Sequence, residues 1–258
     1  MKLEILTTEL LETFKKQIAF NPEVMLQQIN KEELPVDYFQ FYHSVSSVYS
    51  SKIEGEEVDF DSFYKHKFLN IPLKESYIQK SEDLFAAYEF IENNPLNGAN
   101  VKQAHRILSR HLLPEEWQGR FRSNPMFVLN SDDRIEYVAC DASQIENEWN
   151  KLFSDIAFLL IQKLNIKDVF YFAAMLHLVF VKIHPFQDGN GRTARLMEKW
   201  FLISHLGKKA HAIPLEKNYY RHLEAYYRNI KQLGLEYAEL DYSKAMDFLL
   251  MTINGLKI

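Results

Sequence analysis

The sequence predicts an all-α chain. Apolar residues recur at helical spacing through most of it, glycine is scarce, and no Pro/Gly-rich linker, internal repeat or low-complexity run interrupts it. Eight glycines in 258 residues is about half the ~7% usual in soluble domains. With 47% hydrophobic residues, a chain of this length can bury one substantial core, or one core and a small appendage.

In chain order, helical spacing is read over 3–18 and 35–53, and 60–74 is read as irregular because its charges are mixed. Helices follow over 81–93 and 101–111, separated by the loop Asn94-Pro95-Leu96-Asn97-Gly98. The pattern then changes. Met126-Phe127-Val128-Leu129 and Ile135-Glu136-Tyr137-Val138 flank the polar run Asn130-Ser131-Asp132-Asp133-Arg134, which predicts a β-hairpin: β-prone flanks around turn-forming Asn and Asp. Helices resume over 145–164, 169–183, 192–205, 217–233 and 242–256. The stretch 169–183 is the most apolar. It contains His177 and Lys182 and falls short of the ~20 residues of a membrane-spanning helix, so it is read as a buried core helix. Residues 1–75 are read as an N-terminal helical extension and 76–258 as the main core with C-terminal helices, with no true linker between them.

A net charge of −5 gives no overall basic field to recruit nucleic acid or an anionic membrane, and the helices after Leu233 show no DNA-reading basic face. Any phosphate-binding charge must be local. The single cysteine, Cys140, cannot form an intramolecular disulfide, and the acids near the start interrupt what a secretory signal would need to be apolar; both point to the cytoplasm.

The densest group of functional residue types is Ile183-His184-Pro185-Phe186-Gln187-Asp188-Gly189-Asn190-Gly191-Arg192-Thr193-Ala194-Arg195. Pro185 should end the apolar helix and leave His184 at a loop mouth. Gly189 and Gly191 allow a sharp turn with exposed N–H groups, and a helix starting near Asn190 would aim its positive end at the same point, forming an anion hole. Arg192 and Arg195 share a face of that helix, with Leu196, Trp200 and Ile203 as the opposing apolar stripe. Cations in the first turns oppose the helix dipole by ~0.3–1 kcal/mol each, a conflict that a bound polyanion removes. An acid among these groups, Asp188, suits a Mg²⁺ that bridges phosphate oxygens, and an imidazole at His184 suits a general base.

This segment resembles the active-site signature of the Fic family, HPFx(D/E)GN(G/K)RxxR, at every fixed position. The resemblance extends over roughly 101–227 and implies a Fic-fold helical bundle with a small β-hairpin flap beside the active site. It further implies a protein adenylyltransferase that moves AMP from ATP to a Tyr, Thr or Ser hydroxyl of a target protein, possibly of itself, with His184 as base and Asp188 holding Mg²⁺. Gly189, Asn190, Gly191, Arg192 and Arg195 would bind the phosphates, and Met126, Phe127 and Val128 would dock the target. Asn218 and Tyr219 would lie beside the nucleotide, although the cluster Tyr219, Tyr220, Tyr226 and Tyr227 also reads as packing. Upstream, Ser50-Ser51-Lys52-Ile53-Glu54-Gly55 is similar to the family's inhibitory motif (S/T)xxxE(G/N), which implies that Glu54 reaches Arg195 and blocks the γ-phosphate. Ser50 and Glu54 are four apart and share a helix face. A hydrolase that removes AMP with the help of Glu54, and a catalytically idle nucleotide-binding module, remain as alternatives.

Other readings carry less. A dinucleotide fingerprint at Gly189-x-Gly191-x-x-Ala194 would need a βαβ unit that these surroundings do not supply. His177 is read as a satisfied core histidine, with no zinc site visible. Cys140 and the short runs Lys65-His66-Lys67 and Lys208-Lys209 receive no role.

Overall fold

The computed structural model describes residues 3–29, 37–72, 77–129 and 135–257. Its N-terminal elements are α1 (Leu11–Gln17), α2 (Pro22–Ile29), α3 (Tyr38–Ile53) and α4 (Phe60–Leu69). Then come α5 (Tyr77–Glu92), α6 (Gly98–Leu108), the strands β1 (Phe127–Leu129) and β2 (Ile135–Val138), α7 (Ile145–Leu160), α8 (Ile166–Ile183) and α9 (Asn190–Leu206). The chain closes with α10 (Leu215–Arg221), α11 (Leu223–Lys231) and α12 (Met246–Asn254). The class is mostly helical with one two-stranded sheet, as the periodicity predicted.

Polar caps set many helix starts. The side chains of Asp37, Asp59, Asn97 and Asn165 each accept from the backbone N–H three residues on, opening α3, α4, α6 and α8. Asp59 explains why 60–69, read as part of an irregular stretch, is a helix; 73 and 74 lie outside the described residues. The cap starts α4, Phe63 buries beside Val48, Val58 and Phe85, and left-handed Asn70 ends the helix. Its mixed charges lie on the outside, where Lys65 pairs with Asp61. The segment 3–18 is helical only at its end. The N–H groups of Glu4, Ile5 and Leu6 donate at 2.7–2.9 Å to the buried carboxylate of Asp155 and cannot serve a helix. The helix α2 went unread; Asn21 caps it and Pro22 occupies its first turn. The expected helix over 217–233 breaks at His222, whose backbone leaves the helical region between α10 and α11.

The centre of the molecule is α8, buried over nearly its whole length, with α9 packed along it. A helix apolar all round must be enclosed, and α8 is. No helix among the described residues is long and apolar enough to cross a membrane. The main core cluster includes Leu6, Phe14, Ile18, Leu26 and Ile53, so the first part of the chain shares its core with the rest. The buried side of α3, packed on α5 and α10, is lined by His43 and the serines Ser44, Ser46, Ser47, Ser50 and Ser51, with Val48 and Ile53 as its buried apolar residues.

The arginine face of α9 meets α3 and the turn after it, where Ser50 and Glu54 hold Arg195 and Glu56 holds Arg192. Arg192, Arg195, Glu198 and Lys199 are as buried as Leu196 and Trp200, Glu198 and Lys199 through His177, Tyr219 and Glu216. The hairpin forms where expected, antiparallel, pairing Phe127 with Val138 and Val128 with Tyr137, and shifts register after Val128. Its turn, 130–134, and the start of the helix expected from Pro35 lie outside the described residues.

Candidate active site

Pro185 creates the local chemistry by lacking an N–H. The carbonyl of Val181, four residues earlier, loses its helical partner and faces His184 Nδ1 at 3.1 Å instead. It also accepts from the Tyr137 hydroxyl at 3.1 Å, and that hydroxyl lies 3.0 Å from Nδ1. A carbonyl oxygen only accepts, so the imidazole proton belongs on Nδ1 and the lone pair on Nε2. His184 itself caps α8 in the left-handed region, φ 52° and ψ 60°, which is uncommon without glycine. Burial pushes its imidazole down to about 4. The ring is therefore neutral near pH 7, with Nε2 able to take a proton.

Arg122 fixes the backbone beneath this histidine. Its Nε donates to His184 O at 2.7 Å and Nη1 to Asn124 O at 2.7 Å, while Nη2 reaches Ile183 O and Cys140 O. Its own N–H donates to Pro185 O at 2.9 Å. One buried guanidinium thus gathers the end of α8, the following loop and the segment after β2.

The loop is held from within as well. Asn190 Oδ1 accepts from Phe186 N–H at 2.9 Å and its Nδ2 donates to Phe186 O at 2.8 Å, so the Asn190 amide serves as a clamp. His105 Nδ1 accepts from Gly119 N–H at 2.9 Å, which leaves Nε2–H to donate to Asp188 O at 2.9 Å. The His105 ring stacks on Phe186 at 3.7 Å between centroids, and burial lowers its imidazole to about 4. Gly189 turns the chain into α9 at φ 75°, a conformation that disfavours any side chain. The Asp188 carboxylate is exposed at the loop surface and accepts from Gly189 N–H at 2.6 Å.

On the far side of the loop lie the two arginines. Arg195, 1% exposed, donates from Nε to Ser50 Oγ at 2.9 Å and from Nη1 to Tyr226 Oη at 3.2 Å. From Nη2 it donates to Glu54 Oε1 at 2.5 Å and to Ser50 O at 3.2 Å. Arg192 donates from Nη2 to Glu56 Oε1 at 3.2 Å, an oxygen shared with Lys80 Nζ at 2.7 Å. Arg192 Nε is buried and has no acceptor among the described residues. Burial alone would raise the Glu54 carboxyl, but Arg195 and Arg192 outweigh it and hold the group below the usual carboxylate range. A Cβ at Gly191 would come within 2.6 Å of Glu54 Oε1. The carboxylate thus lies over the start of α9, where a helix N-terminus and two guanidinium groups favour an anion.

The structure brings together His184, Gly189, Asn190, Gly191, Arg192 and Arg195 with Ser50, Glu54 and Gly55, whose backbone at φ 84° turns the chain just after α3. Asn218 and Tyr219 lie elsewhere. Tyr219 donates to Glu198 Oε1 at 2.7 Å and Asn218 Nδ2 to Met251 O at 2.8 Å, both inside the core. The tyrosines near Arg195 are Tyr226 and Tyr227, the latter donating to Ile53 O at 2.9 Å. His177 is satisfied by Glu198 and Tyr226. The hairpin reaches His184 through Tyr137; on its other strand Phe127 is half exposed, and the far edge of β2 is occupied by Val138 N–H donating to Leu235 O at 2.7 Å. Among the described residues, β1 pairs only with β2, which leaves its outer edge for an added strand. Sequence reasoning missed Arg122, Tyr137, His105 and Glu56. Only Glu56 carried a signal, as a second acid two residues after Glu54.

Comparisons with known proteins agree with this geometry. Residues 95–202 match the model of the Fic/DOC family. A protein adenylyltransferase Fic from Nematostella vectensis is 38% identical over 104 residues, 40% of this chain and 22% of that protein. One from Drosophila erecta is 25% identical over 181 residues, 64% of this chain and 32% of that protein. The matched segments therefore span no more than about a third of these relatives' lengths. Among solved structures, a Fic family protein from Desulfovibrio desulfuricans G20 has a TM-score of 0.76 at 20% identity, covering 100% of this chain and 74% of that one.

Proposed function

We propose, from the premise that the chain carries a Fic/DOC domain at residues 95–202, that it is a protein adenylyltransferase held in check by Glu54. The observation that carries the reading is a neutral imidazole, with its lone pair on Nε2, beside an anion cradle that the chain's own carboxylate fills. In this reading ATP lays its phosphates over Gly189, Asn190 and Gly191, with Arg192 and Arg195 on the β- and γ-phosphates. The exposed Asp188 and the acceptorless Arg192 Nε suit a magnesium nucleotide; Asp188 would hold the Mg²⁺, which neutralises phosphate charge.

A target segment adds to the outer edge of β1 and presents a Tyr, Thr or Ser hydroxyl to His184. Nε2 takes the hydroxyl proton as the oxygen attacks the α-phosphorus. The new O–P bond forms as the α–β bridging bond breaks, and pyrophosphate leaves. Glu54 prevents the γ-phosphate from reaching Arg195, because two anions cannot share one guanidinium cradle. The reaction belongs to the cytoplasm in this account.

The test is incubation of the wild type and Glu54→Gly with Mg²⁺ and α-labelled ATP, followed by intact mass. The reading expects one added AMP per modified site, more in the variant, and none when His184 is replaced by Ala. No AMP gain in either chain would overturn transfer, and AMP release from a pre-modified protein that depends on Glu54 would point to the hydrolase.

A further inference from the structure

Seven residues before Ser50, on the same side of α3, stands a second convergence of functional groups that the transfer chemistry does not use. His43 Nε2 lies 3.0 Å from Glu92 Oε1 and 3.3 Å from His211 Nδ1. The three ligand atoms all fall within 4.8 Å of one another. They come from three elements: α3, the last residue of α5, and the 3-10 turn Gly207–Ala212 that follows α9. No spacing in the sequence announces them, since the histidines stand 168 residues apart.

We propose that His43, Glu92 and His211 form a binding site for a borderline divalent transition metal, Zn²⁺ being the type case. Donor atoms about 2.0–2.1 Å from a tetrahedral zinc lie about 3.3 Å from each other, close to the 3.0 and 3.3 Å found here. Two imidazole nitrogens and one carboxylate oxygen select such a metal over Mg²⁺ or Ca²⁺, which demand mostly oxygen. Glu92 is the one member whose side chain is partly exposed, which gives water access to the group.

Hydrogen bonding alone serves this group poorly. One N–H on His43 Nε2 faces both the carboxylate and His211 Nδ1 and cannot point at both. The rings are held in place before any ion arrives: His43 between Phe39, Phe85 and Tyr88, and His211 edge-on to Phe39. Of the nearby cations, Lys199 is paired with Glu216 at 3.3 Å and Lys208 stands over the Phe39 ring. An occupied site would tie the first half of α3 to α5 and to the turn after α9.

The test uses the full chain, stripped with chelator and free of nucleotide and Mg²⁺, titrated with Zn²⁺ and with Co²⁺. One ion per chain, a visible tetrahedral Co²⁺ absorption and a rise in melting temperature on adding Zn²⁺ are expected. Glu92→Gln alters a partly exposed side chain and should leave the fold intact while weakening binding tenfold or more, and His211→Ala should abolish the Co²⁺ band. Because His43 and His211 are buried, circular dichroism of each variant separates lost binding from lost folding. Absence of stoichiometric uptake by the wild type, or uptake unchanged in Glu92→Gln, would mean a hydrogen-bonded triad only.

Discussion

The two sides of the signature loop are held in opposite ways. On the His184 side, every contact comes from the body of the domain: Pro185 frees a carbonyl, Tyr137 and that carbonyl orient the imidazole, and Arg122 and His105 fix the backbone. On the arginine side only Tyr226 comes from the body of the domain; the other partners arrive from α3 and the turn after it, more than a hundred residues away in sequence: Ser50 and Glu54 on Arg195, Glu56 on Arg192. On the proposed function the base is built in and the phosphate cradle is stoppered by two acids that make none of the contacts to His184, so the two sides should be separable by mutation.

The largest expected effect breaks the built-in side. His184→Ala should lower transfer by ~10²–10⁴-fold, the usual contribution of a positioned base, with ATP affinity little changed in a binding assay. An active His184→Ala would remove the base from the mechanism. Next, Glu54→Gly should raise transfer about 10- to 100-fold. A hydrogen bond to a charged group contributes ~1.5–3 kcal/mol, and each 1.4 kcal/mol is about tenfold. A labelled-ATP assay that shows no increase would dissolve the contrast between the two sides.

Acid provides a third probe. The His105 imidazole sits at about 4 in the folded chain against about 6.5 unfolded. Between those values the unfolded chain binds the extra proton, so the stability due to His105 is complete above pH 6.5 and is lost as pH falls toward 4. At pH 5 the loss from this one group is up to about 2 kcal/mol, or about 30-fold in the folding equilibrium. Urea midpoints at pH 7.5 and 5 read it, and His105→Asn should reduce the difference.

Smaller effects sharpen the comparison. Tyr137→Phe removes the hydroxyl that shares Val181 O and His184 Nδ1 and should lower kcat ~3- to 10-fold with KM for ATP unchanged, in the range of one hydrogen bond. Because Tyr137 acts by orienting His184, its pH–rate profile should shift as well. Glu56→Gln should raise transfer only ~2- to 3-fold, since Glu56 divides its oxygen between Arg192 and Lys80. A rise equal to that of Glu54→Gly would make the two acids equivalent, against the geometry.

Much of this was legible in the sequence. The His184-Pro185 step marks the end of α8 and Gly189 the start of α9, because both act through local backbone chemistry. The hairpin strands were readable for the same reason. What escaped depends on distant partners. Asp155 takes the N–H groups of Glu4 to Leu6 from across the fold and stops a helix that the periodicity allowed. Arg122, Tyr137 and His105 have unremarkable sequence neighbours and gain their roles only when α8, the hairpin and α6 meet. The helix α4 is hard to see in the sequence because its mixed charge masks the Asp59 cap.

The serine-lined side of α3 has a consequence for temperature. Exposing apolar surface raises heat capacity by about 0.45 cal/K/mol per Å², and exposing polar surface lowers it by about 0.26. A buried side that holds His43, Ser44, Ser46, Ser47, Ser50 and Ser51 with Val48 and Ile53 would expose both kinds if α3 withdrew to release Glu54, so the two contributions would oppose each other. A seated-to-withdrawn equilibrium of that kind should give a straighter van 't Hoff plot than a leucine-lined contact would.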